Sequence, residues 1–313
     1  MSAGAARLAI LCPGQGGQHA GMFDLLREDV RAADLIAGAG LAAALGHAPV
    51  AVLAEDGLLF ANRQAQPLVV AATLAAWEML RDALPQPALV AGYSIGELAA
   101  YSVAGALSAP DAIAIAAQRA TFMDACAAAV PQGLMSVAGF EVRAAQALLQ
   151  AHGAHVAIET DFDKLIAGGT QAALLAAQTD LESRGAHTGR LPVSVASHTP
   201  LMQAAAHRFA ALLADARFAD PAVAVLAGVS GHAIRDRRAA QAALVQQLTA
   251  TVRWSACMDA CAENGITVAL ELGPGAALSR MLRARHPGIA CRSVSEFRSI
   301  RGVLSWLARE MEY

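Results

Sequence analysis

Apolar residues run unbroken over 8–12 and stop at Pro13-Gly14, the pattern of a short buried strand entering a tight loop, Pro13-Gly14-Gln15-Gly16-Gly17-Gln18. The same succession recurs twice. Residues 88–91 lead into Gly92-Tyr93-Ser94-Ile95-Gly96-Glu97 and a helix-forming stretch over 98–107, and residues 268–272 lead into Gly273-Pro274-Gly275 and a second such stretch over 276–285. Buried strand, glycine turn and helix in repetition predict an α/β domain built on a parallel sheet. Longer helices are predicted over 66–84 and 110–129, the latter opened by Ser108 and Asp111 in capping-box spacing.

Between Pro131 and Pro192 the pattern changes. Strand-like segments at 133–140, 154–159 and 164–168 alternate with helical ones at 142–152 and 171–184, which predicts a small ferredoxin-like α+β insert. The expected organisation is one α/β domain made of residues 1–130 and 193–313, with 131–192 lodged inside it. No internal repeat, low-complexity tract or linker interrupts the chain.

The chain has 313 residues, 56% hydrophobic and 16% charged, enough for one large domain or two smaller ones and too apolar for a disordered chain. With 23 basic against 26 acidic side chains and a net charge of -3, it has no electrostatic footprint for nucleic acid. Aromatic residues make up only 4%, so the core must pack small aliphatic side chains, which suits helices against a sheet. Five cysteines are scattered without a CxxC pair, which predicts neither a disulfide framework nor a metal site and points to a reducing, cytoplasmic setting. Cys257 and Cys261 could share a helix face but read as small core residues. The longest uncharged stretch, 35–54, would just span a bilayer, yet Gly38, Gly40, Gly46, His47 and Pro49 break it into a helix end, a loop and a short second segment. Residues 1–12 lack the apolar length of a signal peptide. A soluble protein with no membrane partner is expected.

Ser94 sits at a strand-to-helix turn in Gly92-Tyr93-Ser94-Ile95-Gly96, the setting of a nucleophile elbow, where the helix start also offers N–H groups to an oxyanion. The plainer alternative is a glycine turn with a capping serine. A serine nucleophile needs a base, and His198, placed after an apolar run and before Thr199-Pro200, is the best positioned of nine histidines. A capping or core histidine is the competing reading. Acylation by this base should weaken below about pH 6.5, the ordinary imidazole value. No Asp or Glu has a claim to be a third member, so a backbone carbonyl is expected to orient the ring. The Gln15 loop fails the dinucleotide GxGxxG spacing because His19 stands at the third glycine position. Gln15 could instead close over Ser94 and supply a second oxyanion N–H. Arg119 is flanked at helical spacing by Ile115, Ala116, Phe122 and Met123, so its guanidinium, on a face that should pack, calls for a carboxylate: a ligand, or a structural salt bridge.

Together these features resemble the malonyl-CoA:acyl carrier protein transacylase family over nearly the whole chain. Pro13 to Gln18 resembles its PGQGxQ, Gly92 to Glu97 its GHSxGE, Arg119 with Met123 its RxxxM, Ser197 to Met202 the end of its FHTPLM, and Glu271 to Gly275 its ExGPG. The resemblance implies a hydrolase-like α/β fold with a ferredoxin-like insert, and no bound cofactor. It implies that Ser94 takes a malonyl group from malonyl-CoA and passes it to the phosphopantetheine-type thiol of an acyl carrier protein. His198 is then the base, the N–H groups of Gln15 and Ile95 the oxyanion hole, Arg119 the partner of the malonyl carboxylate, and the main-chain carbonyl of Gln247 the group that holds His198.

The family pattern is departed from in three places: Tyr93 replaces a His, Ser197 replaces a Phe, and Asp161-Phe162-Asp163-Lys164 replaces an Asn-x-Pro-x-Gln segment. The combination of Gly92-Tyr93-Ser94-Ile95-Gly96-Glu97 and Ala196-Ser197-His198-Thr199 resembles most the malonyltransferase subunit of bacterial malonate decarboxylases, whose acceptor is a dedicated small carrier. The alternatives are a fatty-acid-synthesis transacylase, a serine esterase or thioesterase, and a non-catalytic carrier-docking module.

Overall fold

The computed structural model describes residues 6–311. Among these residues eleven strands form two sheets: β1 (Leu8–Cys12), β2 (Leu89–Gly92), β3 (Gln132–Ala138), β4 (His155–Asp161), β5 (Lys164–Thr170), β6 (His187–Arg190), β7 (Ala224–Leu226), β8 (Ala233–Ile234), β9 (Val252–Arg253), β10 (Val268–Glu271) and β11 (Ala290–Ser293).

The first sheet has the order β11-β10-β1-β2-β7-β8, parallel throughout except for the short β8 at one edge. Its central strands are buried on both faces, which is why they read as unbroken apolar runs rather than alternating ones. Successive residues nevertheless serve different cores. Leu8, Ile10 and Cys12 face the larger cluster with the helix Asn62–Leu80, while Ala9 and Leu11 face a second cluster with the helix Trp254–Glu263. Cys257 and Cys261 lie buried in that second cluster.

The helix predicted over 66–84 starts four residues earlier, at Asn62. The helix Ala109–Ala127 begins where Ser108 Oγ accepts from the Asp111 N–H at 3.2 Å, a serine N-cap followed by a first-turn proline. The uncharged stretch at 35–54 is three short helical pieces separated at Gly40 and Gly46, whose φ of +77° and +70° only glycine adopts without cost. Among the described residues no helix is long and apolar enough to cross a membrane.

The second sheet has the order β6-β3-β5-β4-β9. Strands β3 to β6, with the helices Val142–Ala151 and Gln171–Ser183, make a ferredoxin-like βαββαβ unit whose four strands are antiparallel. The fifth strand comes from outside this unit: Val252 and Arg253 pair in parallel with Ile158 and Glu159.

Candidate active site

β2 ends at Gly92 and the helix Gly96–Val103 begins four residues later, so the chain reverses over Tyr93, Ser94 and Ile95. The turn is closed by Tyr93 N–H donating to Cys12 O at 2.9 Å and Gly96 N–H donating to Tyr93 O at 2.9 Å. Ser94 meets this geometry with φ +55°, a left-handed conformation that costs an L residue about 1–2 kcal/mol. The flanking glycines are required by contact. A Cβ on Gly92 would stand 2.2 Å from Glu97 N, and one on Gly96 would stand 2.1 Å from Cys12 O. The Gly-x-Ser-x-Gly spacing is therefore the spacing at which two strand ends and a helix start pass close enough to exclude side chains.

His198 also has a left-handed backbone, φ +62°. The residue after it fixes the bend: Thr199 Oγ1 donates to Ala196 O at 2.7 Å and accepts from Leu201 N–H at 3.3 Å, at the head of the 3-10 turn Pro200–Met202. The imidazole Nε2 lies 2.8 Å from Ser94 Oγ, and Nδ1 lies 2.6 Å from Gln247 O. A carbonyl only accepts, so Nδ1 carries the hydrogen and Nε2 turns a lone pair to the serine hydroxyl. Burial, and then the charge of Arg119, push this imidazole down to about 3, against an upward pull from the Gln247 carbonyl. The ring is therefore neutral throughout the range in which the sequence placed its titration, and the midpoint expected near 6.5 is corrected downward.

Arg119, on the helix Ala109–Ala127, is 2% exposed and still charged at neutral pH, although burial lowers it to about 10. Its Nη1 donates to Gln66 Oε1 at 2.7 Å and its Nη2 to Gln247 Oε1 at 3.2 Å. Among the described residues no carboxylate lies within ion-pair distance of it. The structural salt bridge considered for this residue is absent, and two amide oxygens hold the guanidinium instead.

Gln66 in turn donates to Asn62 Oδ1 at 2.7 Å, and Asn62 Oδ1 also accepts from Gln15 Nε2 at 3.0 Å. A chain of side chains thus runs from the Gln15 loop to Arg119 and on to Gln247, ending at Glu97. Among the described residues neither the Gln15 N–H nor the Ile95 N–H donates to a protein acceptor, so both remain available to a ligand.

A pocket of about 120 Å³ opens in front of these groups, lined on its polar side by Gln15, Asn62, Ser94, Arg119, Ser197 and His198. Leu134, Ile158 and Ile166 of the second sheet form an apolar wall opposite. Tyr93 lines the pocket with its ring packed edge-on against Trp254, centroids 5.4 Å apart. Asp161 does not line it: its carboxylate pairs with Arg285 at 2.8 Å, and Arg285 is also bound by Asp259. The segment 161–164 is a hairpin tip with Phe162 exposed at 73%, so its departure from the family pattern does not reshape the pocket.

Sequence reasoning assigned no part to Asn62, Gln66 or Glu97. The first two had a signal, since polar residues four apart at the head of a helix are placed to bond to each other. Among the described residues there is no group of three or more His, Cys, Asp or Glu that could hold a metal ion.

The malonyl CoA-acyl carrier protein transacylase of Mycobacterium tuberculosis is 34% identical over 290 residues, covering 92% of this chain and 96% of the relative. Two solved structures superpose closely. The malonyl-CoA:acyl carrier protein transacylase of Xanthomonas oryzae pv. oryzae gives a TM-score of 0.90 at 30% identity, covering 96% and 98% of the two chains. A malonyl-transacylase solved in complex with its type II PKS acyl-carrier protein gives 0.90 at 25% identity, covering 96% and 99%. Residues 10–298 match the acyl transferase domain family, a span that holds the whole Ser94, His198, Arg119 and Gln247 constellation, and the chain belongs to that family.

Proposed function

We propose that the chain is a malonyl-CoA:acyl carrier protein S-malonyltransferase working through an ester on Ser94. One observation carries the reading: a serine bonded to a neutral imidazole shares a single pocket with a buried guanidinium that lacks a carboxylate partner. In the first half-reaction Ser94 Oγ attacks the malonyl thioester carbonyl and its proton passes to His198 Nε2. The Gln15 and Ile95 N–H groups receive the oxyanion. The C–S bond then breaks and the CoA sulfur leaves with the proton from Nε2. In the second half-reaction the carrier thiol gives its proton to Nε2, attacks the ester and takes the malonyl group, and Ser94 regains its hydrogen. The malonyl carboxylate sits on Arg119, whose planar guanidinium is held by Gln66 and Gln247 and pairs with it by charge-assisted hydrogen bonds.

In this reading residues 1–130 and 193–313 carry the reacting groups, 131–192 supplies the apolar wall, and the protein is cytoplasmic, with substrates but no bound cofactor. An acyl carrier protein as acceptor is supported by the similar transacylases, one of which was solved in complex with its acyl-carrier protein. A second reading of the acceptor, the dedicated carrier of a malonate decarboxylase, is supported by Tyr93 and Ser197, which both line the pocket, while Asp161, paired with Arg285, lies outside it.

Intact mass after mixing with malonyl-CoA, then with each carrier bearing its own prosthetic arm, tests the proposal. A malonyl mass increment that moves to a carrier is the expected result. Thioester hydrolysis without transfer would identify an esterase, and no adduct at all a docking module.

A further inference from the structure

We propose that Glu97, which bonds to neither the serine hydroxyl nor the imidazole, is a positioning residue: it sets the orientation of the Gln247 side-chain amide and thereby prepares Arg119 for a carboxylated acyl group. The inference rests on the malonyl reading above and deepens it.

The two ends of a glutamine amide have nearly the same shape, and half a turn exchanges a donor for an acceptor. Gln247 sits where that exchange matters. Its Oε1 accepts from Arg119 at 3.2 Å, while its Nε2 donates to Ser94 O at 3.1 Å and to Glu97 Oε2. Turned over, the amide would point N–H groups at a guanidinium that can only donate and an oxygen at two acceptors. Arg119 selects the amide oxygen, and Ser94 O and Glu97 Oε2 select the amide nitrogen; of those two acceptors Glu97 is the one carried by a side chain.

Glu97 is itself held for this task. It is fully buried, and Oε2 also accepts from Gly228 N–H at 3.0 Å, which aims that oxygen at Gln247. Its other oxygen has no hydrogen-bond partner among the described residues, so the paired side of the carboxylate is the side facing Gln247 and Gly228. Burial raises Glu97 to about 7, against the downward pull of its bonds from Gly228 and Gln247 and then of the Arg119 charge. The main-chain carbonyl of the same Gln247 holds His198, so a loose amide at this position would disturb the acyl-binding cation before it disturbed the base.

The test compares malonyl and acetyl ester formation on Ser94 in Glu97→Ala, Glu97→Gln, Gln247→Met and the Glu97→Ala/Gln247→Met double variant. Glu97→Ala should lose malonyl ester formation about tenfold more than acetyl, mainly through KM, and Gln247→Met should show the same selectivity. Glu97→Gln, whose oxygen Gly228 N–H can still aim at Gln247, should recover to within about threefold of wild type. The double variant should be no worse than Gln247→Met alone, because both act through one amide. Equal losses for the two acyl groups, or additive losses in the double variant, would overturn the proposal. If Glu97→Ala does not fold, an unchanged malonyl-to-acetyl ratio in Gln247→Met overturns it instead. Malonyl loading of the wild-type protein is read in the same series, and its absence would bring down the functional reading as well.

Discussion

Ser94 Oγ and His198 Nε2 meet at 2.8 Å from two backbones that are both left-handed, and among the described residues these are the only non-glycine positions with positive φ. Strain of this kind persists only where the surroundings over-determine it. Here the helix start packed against Gly92 and the end of β1 packed against Gly96 hold one residue, and the Thr199 side chain holds the other.

Relieving that strain should stabilise the protein while abolishing activity. Ser94→Gly and Ser94→Ala should both gain no malonyl mass, and Ser94→Gly should be the more stable of the two by about 0.5–1 kcal/mol, the left-handed cost less the extra freedom of unfolded glycine. Urea unfolding checks the difference. An adduct surviving on either variant would remove Ser94 from the reaction.

The depressed imidazole sets the pH response. With His198 at about 3 in the free protein, kcat/KM for acylation should stay level from pH 8 down to pH 5. A break near the ordinary value of about 6.5 would contradict the buried, Arg119-facing environment. A malonyl carboxylate on Arg119 cancels one of the two downward causes, so the break for release from the malonyl ester should lie above the break for acylation. Stability follows with its own sign. Between about 6.5 and 3 the unfolded chain binds a proton that the native imidazole refuses, so stability falls as pH drops through that window. His198→Asn should lose this part of the acid sensitivity.

Arg119→Ala should weaken the malonyl complex by roughly 3 to 5 kcal/mol, because the acyl carboxylate is left buried without a counter-charge. Acetyl transfer has no carboxylate to lose and should fall far less. Parallel measurements of the two ester-forming rates decide, and equal losses would make the residue structural.

The hairpin tip and the pocket should separate cleanly. Asp161→Asn removes one side of a partly exposed ion pair with Arg285, so it should cost less than about 1 kcal/mol and leave both acylation and carrier preference unchanged. Ser197→Phe, which fills space beside the ester, should change carrier or acyl preference. A shift in carrier preference with Asp161→Asn would return that segment to the recognition surface.

What could be read from the chain, and what could not, divides by length and polarity. β1 lay at 8–12 because five apolar residues ended at Pro13-Gly14, a signal carried in adjacent positions. β6, His187-Thr188-Gly189-Arg190, has no apolar face and exists because β3 offers it an edge, so local pattern could not find it. β9 is two residues long and is defined wholly by its partner. Gly-x-Ser-x-Gly was legible because each glycine answers to a steric contact in the turn. Glu97 stood in plain view directly after that motif, but its use depends on Gln247, 150 positions away, and no spacing along the chain reports a distance in space.

The pairing of Val252 and Arg253 with Ile158 and Glu159 bears on any attempt to pare this protein down. The chain reaches that strand five residues after Gln247, whose carbonyl carries the imidazole. Excising 131–192 to leave a minimal catalytic scaffold would remove the strand partner of this two-residue segment, leaving Arg253 N–H on Gly228 O as its backbone tie to the larger domain. The smaller sheet is a jig for the larger one, and grafting a different sheet in its place would have to reproduce one short parallel edge before it could vary the pocket wall.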